Sequence, residues 1–139
     1  MLIGVFPSGV VEDGWITEEI TTSQSWTVPE GVTEIYVQLF GGGGSGAAYA
    51  YYSSSNVHTC GGGGGSGHMA QAKIETTPGS TFNISIGAGG ARSTNSSGNK
   101  GGTTSFGSLL SAFGGDGGQG RNGGAGGAGG GGGYHSREY

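Results

Sequence analysis

Of the 139 residues, 37 are glycine and only 10% are charged, with a net charge of −4. Three scattered prolines and one cysteine exclude a collagen repeat and a disulfide framework, and the absence of a basic stripe argues against a nucleic-acid partner. No run approaches the roughly 20 apolar residues of a membrane span, and residues 1–11, broken by Gly4, Pro7 and Gly9 and followed by Glu12 and Asp13, do not read as a leader peptide.

The acidic charge is concentrated at the front. Residues 1–34 carry Glu12, Asp13, Glu18, Glu19, Glu30 and Glu34 and no Lys or Arg. Weak alternation around Trp15, Ile16 and Ile20 predicts an arm or a short strand pair over residues 1–22, a segment for attachment or oligomerisation. Residues 23–139 form the main glycine-rich domain, with a tail that the sequence leaves free to be flexible.

From Ser25 onward the pattern sharpens. Trp26-Thr27-Val28 is a short strand, Pro29-Glu30-Gly31 supplies turn chemistry, and 33–40 alternates, with Ile35, Val37 and Leu39 on one side and Glu34, Tyr36 and Gln38 on the other. This is expected to be one hairpin. A second is expected from Ala70, Ala72 and Ile74, a Thr77-Pro78-Gly79-Ser80 turn, and Phe82, Ile84 and Ile86, both strands facing one core. The patch 106–113 reads as a strand containing a turn.

Glycine then stands wherever a strand ends: 41–44, 61–65, 87–90 and 114 onward. Fixing a glycine costs roughly 0.5–1 kcal/mol more than fixing alanine, so these blocks are either linkers or are offset by packing. A linker would mix glycine with Ser, Pro, Glu and Lys, whereas 41–44, 61–65 and 129–133 are nearly pure. Polyglycine II helices rise about 3.1 Å per residue with three residues per turn and point their amides and carbonyls outward. Without side chains, several can pack together and bond to one another. The expected fold is all-β: a small antiparallel sandwich or hairpins combined with packed polyglycine II helices, presenting loops between the blocks.

The sequence offers little for chemistry. Gly41 to Gly46 satisfies G-x-G-x-x-G, but no helical face follows and no acidic ribose partner stands about 20 residues on, so no cofactor is expected. His58, Cys60 and His68 lack metal-ligand spacing, Gly114-Gly-Asp116-Gly-Gly118 does not sustain a calcium repeat, and no nucleophile motif is present. An enzyme is not expected. Recognition remains. Tyr49, Tyr51 and Tyr52 with Asn56 and His58 form a Tyr/Ser/Asn-rich loop between two glycine blocks, a composition suited to large contact area and adaptable hydrogen bonding. Arg92, Asn95, Asn99 and Lys100 occupy a second such loop, and Gln119, Arg121 and Asn122 a third. A long G-x-x repeat with a flat threonine-rich face, as ice binding would require, is not legible.

At these residues the chain resembles the glycine-rich domains of bacteriophage tail-fibre and adhesin proteins. The resemblance rests on Trp26-Thr-Val-Pro-Glu-Gly-Val-Thr-Glu-Ile-Tyr-Val37 leading into Gly41, on the T-P-G-x-T-x-x-I-x-I-G-A-G-G stretch at 77–90, and on G-G-x-T-S-F-G at 101–107. It implies a virion structural protein on the particle surface, at a tail-fibre tip or on the tail, often homotrimeric. Its loops would contact a host glycan or outer-membrane protein, and residues 1–22 would meet other virion proteins. A capsid-decoration, baseplate or filament subunit is the alternative.

Overall fold

The computed structural model describes residues 1–7, 16–48, 50–52, 57–59, 61–94, 96–120 and 124, and of 6, 7, 50–52 and 57–59 the backbone path alone. All its regular elements are strands: β1 (Leu2–Pro7), β2 (Ile16–Glu19), β3 (Gln24–Thr27), β4 (Val32–Phe40), β5 (Ala50–Tyr52), β6 (Val57–Thr59), β7 (Met69–Glu75), β8 (Thr81–Ser85), β9 (Thr104–Phe106) and β10 (Leu110–Ala112). Two four-stranded antiparallel sheets, β2-β1-β4-β7 and β10-β9-β8-β3, stack face to face, and β5-β6 forms a separate ribbon.

The alternating apolar positions face inward. Ile35, Val37 and Leu39 of β4 are wholly buried and meet Trp26, Val28, Ile84, Phe106 and Ala112 from the other sheet. Phe106 anchors that side, its ring stacked on Phe82 at 4.6 Å between centroids and tilted against Trp26 at 6.2 Å. Residues 1–7 and 16–19 form the strand pair. Ile3 and Val5 enter the same core, and β1 lies between β2 and β4. The Trp26 indole N–H donates to Glu18 Oε2 at 2.8 Å, tying β3 to β2.

The two expected hairpins are not hairpins. β3 pairs with β8, and β4 with β7, so each predicted turn carries the chain from one sheet to the other. Pairing β3 beside β4 would set their apolar residues side by side on one exposed face. Stacking the two ribbons buries both faces against each other instead, which the hydrophobic effect favours. The corners lie together: Val28 donates its amide to Ser80 O, and Gly79 donates to Val28 O. In the second corner Pro78 and Gly79 occupy the central positions, closed by Ser80 N–H to Thr77 O, and Gly79 takes φ +83°, as a type II turn requires. In the first, the bond runs from Val32 N–H to Pro29 O, so Pro29 precedes the bend and Gly31, at φ +78°, completes it. The patch 106–113 resolves into β9 and β10 around a turn at 107–109.

One face was not announced by any contiguous stretch. The registers of β3, β8, β9 and β10 place Ser25, Thr27, Thr81, Asn83, Ser85, Ser105 and Ser111 on the outer side of their sheet, a surface of hydroxyls and one amide without a charge.

Five strand ends continue as glycine-rich legs, all from the same end of the sandwich. β4 runs out into 41–47 and β7 is entered from 61–68. On the other sheet β8 runs into 87–90, β9 is entered from 98–102, and β10 runs into 113–118. Bonds between legs recur every third residue. Gly41, Gly44 and Ala47 donate to His68, Gly65 and Gly62; Gly42 and Ser45 donate to Gly102 and Asn99; Gly115 and Gly118 donate back to Gly42 and Ser45. Gly90 donates to Gly43. The 41–47 leg is therefore held from four sides with a three-residue repeat, the geometry of packed polyglycine II.

Glycine is needed here for space rather than for an unusual backbone. Among the described glycines only Gly31, Gly79, Gly107 and Gly120 have positive φ. A Cβ on Gly61, Gly64 or Gly67 would instead overlap the carbonyl oxygen of Ala47, Gly44 or Gly41, again at every third residue.

Candidate functional site

Because three legs leave the sandwich and two return, the connections between them collect at the far end of the lattice. The ribbon β5-β6 caps the first two legs, with Ala50 opposite Thr59, Tyr51 opposite His58 and Tyr52 opposite Val57. The loop after Ala91 joins the next two. The fifth leg ends at Gln119, whose backbone bridges Ser97, while Gly120 donates to Ser96 O and Gly62 donates to Gly120 O. Backbone bonds thus lock the bases of all three predicted loops together.

The predicted contact residues divide accordingly. Arg92 is exposed on the second loop and Gln119 on the third. Tyr51, Tyr52 and His58 occupy ribbon positions, known by register alone. Tyr49, Asn56, Asn95, Arg121 and Asn122 lie outside the described residues. Asn99 and Lys100 sit lower, on the returning leg, and are engaged there. Asn99 Nδ2 donates to Ala91 O at 2.9 Å, closing the neck of its own loop, and Lys100 Nζ meets Asp116 Oδ1 at 2.9 Å on the lattice wall.

Asp116, weighed in the sequence as a calcium ligand, pairs instead with Lys100, whereas Ser45 carries no sequence expectation of its own. Ser45 Oγ accepts the Asn99 amide at 2.8 Å while the Ser45 amide donates to Asn99 O at 2.9 Å, a two-point clasp between legs. The signal available was its standing as the only residue other than glycine between Gly41 and Gly46. His68, weighed as a metal ligand, instead sits at the seam between lattice and sandwich, edge-on to Phe113 with centroids 6.4 Å apart. Among the described residues no three His, Cys, Asp or Glu side chains converge.

Such an arrangement brings the bases of three loops to one end of a side-chain-poor stalk, where wide contact is possible. No curated protein and no solved structure matches the chain. The sequence profile of a glycine-rich domain matches residues 17–139, nearly the whole of it, and the chain belongs to that glycine-rich domain family.

Proposed function

We propose that this chain is a bacteriophage virion structural protein at a tail-fibre tip or on the tail, and that its lattice-borne loops contact the host surface. The observation that carries the reading is the gathering of three loops at the end of the lattice farthest from the sandwich. A scaffold whose interior admits no side chains leaves its tips as the place for sequence to vary, and the Tyr/Ser/Asn composition of the 49–58 segment suits a broad, partly polar contact. The resemblance of 26–41, 77–90 and 101–107 to tail-fibre glycine-rich domains supports the virion assignment. On this reading residues 1–22 face other virion proteins, through the open edge of β2 with its exposed Ile16, and the assembly is a homotrimer.

The test is adsorption. Virions carrying Tyr51→Ala with Tyr52→Ala adsorb at least about tenfold more slowly if each aromatic supplies an ordinary interface contact, while particle yield is unchanged. Unchanged adsorption with intact protein overturns host contact.

A second reading, a capsid-decoration, baseplate or filament subunit without receptor binding, draws on a different feature. Phe40 and Met69, opposite one another in register, and Phe113 are 50%, 54% and 60% exposed at the seam between sandwich and lattice, apolar surface suited to assembly. Labelling purified virions with an antibody to this chain separates the two readings by position on the particle.

A further inference from the structure

The hydroxyl face of the β10-β9-β8-β3 sheet contains a cleft of about 600 Å³. It lies where the β8–β9 ladder, paired at Ile84 and Ser85, gives way to the turn at 107–109 beside the Thr81 end of β8. Gly107 makes that turn at φ +52° and donates its amide to Asn83 O, so the cleft wall is fixed to its floor.

Its chemistry is selective. Thr81, Ser85, Ser105 and Ser108 bring hydroxyls, Asn83 an amide, and Leu109, 55% exposed, an apolar wall. Ser25 Oγ donates to Asn83 Oδ1 at 2.9 Å, which orients that amide and leaves its Nδ2 hydrogens for a ligand. None of the nine lining residues ionises, so an anionic or cationic ligand would leave water without a counter-charge, a costly exchange. The smaller groove on the opposite sheet, about 340 Å³ beside Leu2, Gly4 and Tyr36, lies on a face that also carries the Glu34–Lys73 ion pair and lacks this neutrality.

From this geometry we propose that the cleft beside Asn83 and Leu109 binds a neutral saccharide. Sugar rings combine a C–H face, which Leu109 can cover, with hydroxyls that donate and accept, which the Ser/Thr/Asn set matches in both senses. The volume suits two pyranose rings. This site lies on the sandwich flank and stands independently of the loop-end reading.

The experiment is titration of the nitrogen-15-labelled full chain with maltose, cellobiose, lactose and sialyllactose, followed by amide shifts. At least one neutral disaccharide is expected to perturb Asn83, Ser85, Ser105 and Ser108 with an affinity on the order of millimolar. Asn83→Ala weakens it at least about fivefold, as loss of one hydrogen bond predicts, and Leu109→Ser weakens it as well. Both residues are exposed, and the spectrum of each variant reports its folding. Tyr51→Ala with Tyr52→Ala leaves the cleft affinity unchanged, which separates this site from the loop tips. Shifts confined to the loop end, or no neutral saccharide shifting the cleft at tens of millimolar, overturn the proposal. So does concentration-dependent self-association that Leu109→Ser abolishes, since the face would then be a contact between copies.

Discussion

Gly64 lies against the carbonyl oxygen of Gly44 so closely that a Cβ on Gly64 would overlap it. That contact states the design of the lattice, in which backbone fills the space that side chains fill elsewhere. Gly43, by contrast, is exposed, and a Cβ there would meet its nearest neighbour, Gly65 O, at an ordinary 3.6 Å. Gly64→Ala is therefore expected to cost about 3 kcal/mol or more through backbone displacement. Gly43→Ala is expected to be neutral or to gain about 0.5 kcal/mol by restricting the unfolded chain. Urea denaturation of the two variants checks the contrast, and equal losses would dissolve the lattice account.

Hydrogen exchange should follow the three-residue repeat. The amides of Gly41, Gly44, Gly65, Gly101 and Gly115 all donate to another leg, and that of Gly62 donates to Gly120 O just beyond the fifth, so they are expected to exchange as slowly as those of β4, since both open only with the fold. Mass-spectrometric or magnetic-resonance exchange measures this directly. Rapid exchange through Gly62 and Gly65 would identify these segments as linkers.

Phe106→Ala removes a wholly buried ring that stacks on Phe82 and leans on Trp26. A loss of about 3–5 kcal/mol is expected. Because β9 and β10 feed two of the five legs, the exchange protection of Gly101 and Gly115 is expected to fall with it.

Lys100→Ala tests the reverse case. Its partner Asp116 and Lys100 itself are both about half exposed, so solvent screens the pair and the variant should change stability by no more than about 1 kcal/mol. A thermal melt suffices, and a larger loss would show the pair to hold the two legs together.

The strands themselves were legible, because alternation in 33–40, 70–74 and 82–86 is a local property. Their partners were not. Trp26-Thr-Val-Pro-Glu-Gly suggests a hairpin, yet nothing local distinguishes a turn that reverses within a sheet from one that crosses between sheets. That choice is made by where the apolar faces of β4 and β8 meet. The same limit applies to the loops. Residues around Tyr51, Arg92 and Gln119 could be picked out by composition, but their common location depends on five strand ends opening in one direction, and the retention of Asn99 and Lys100 on the lattice wall depends on Ala91 and Asp116. The cleft beside Asn83 was invisible for a similar reason, since its hydroxyls come from two separate strands and the turn at 107–109.

The repeat of three in the legs constrains what lengths the chain can acquire. Adding one or two residues within 41–47 would turn every later position by a third or two thirds of a revolution and aim Cβ-free sites away from the carbonyls they accommodate. Adding three returns the same faces to the same neighbours, one step farther from the sandwich. Insertions and deletions inside a leg are thus quantised, and must be matched by the leg beside it, whereas those beyond Ala91 or between β5 and β6 are free of that count. Stalk length changes in steps of about 9 Å, and loop length changes by single residues.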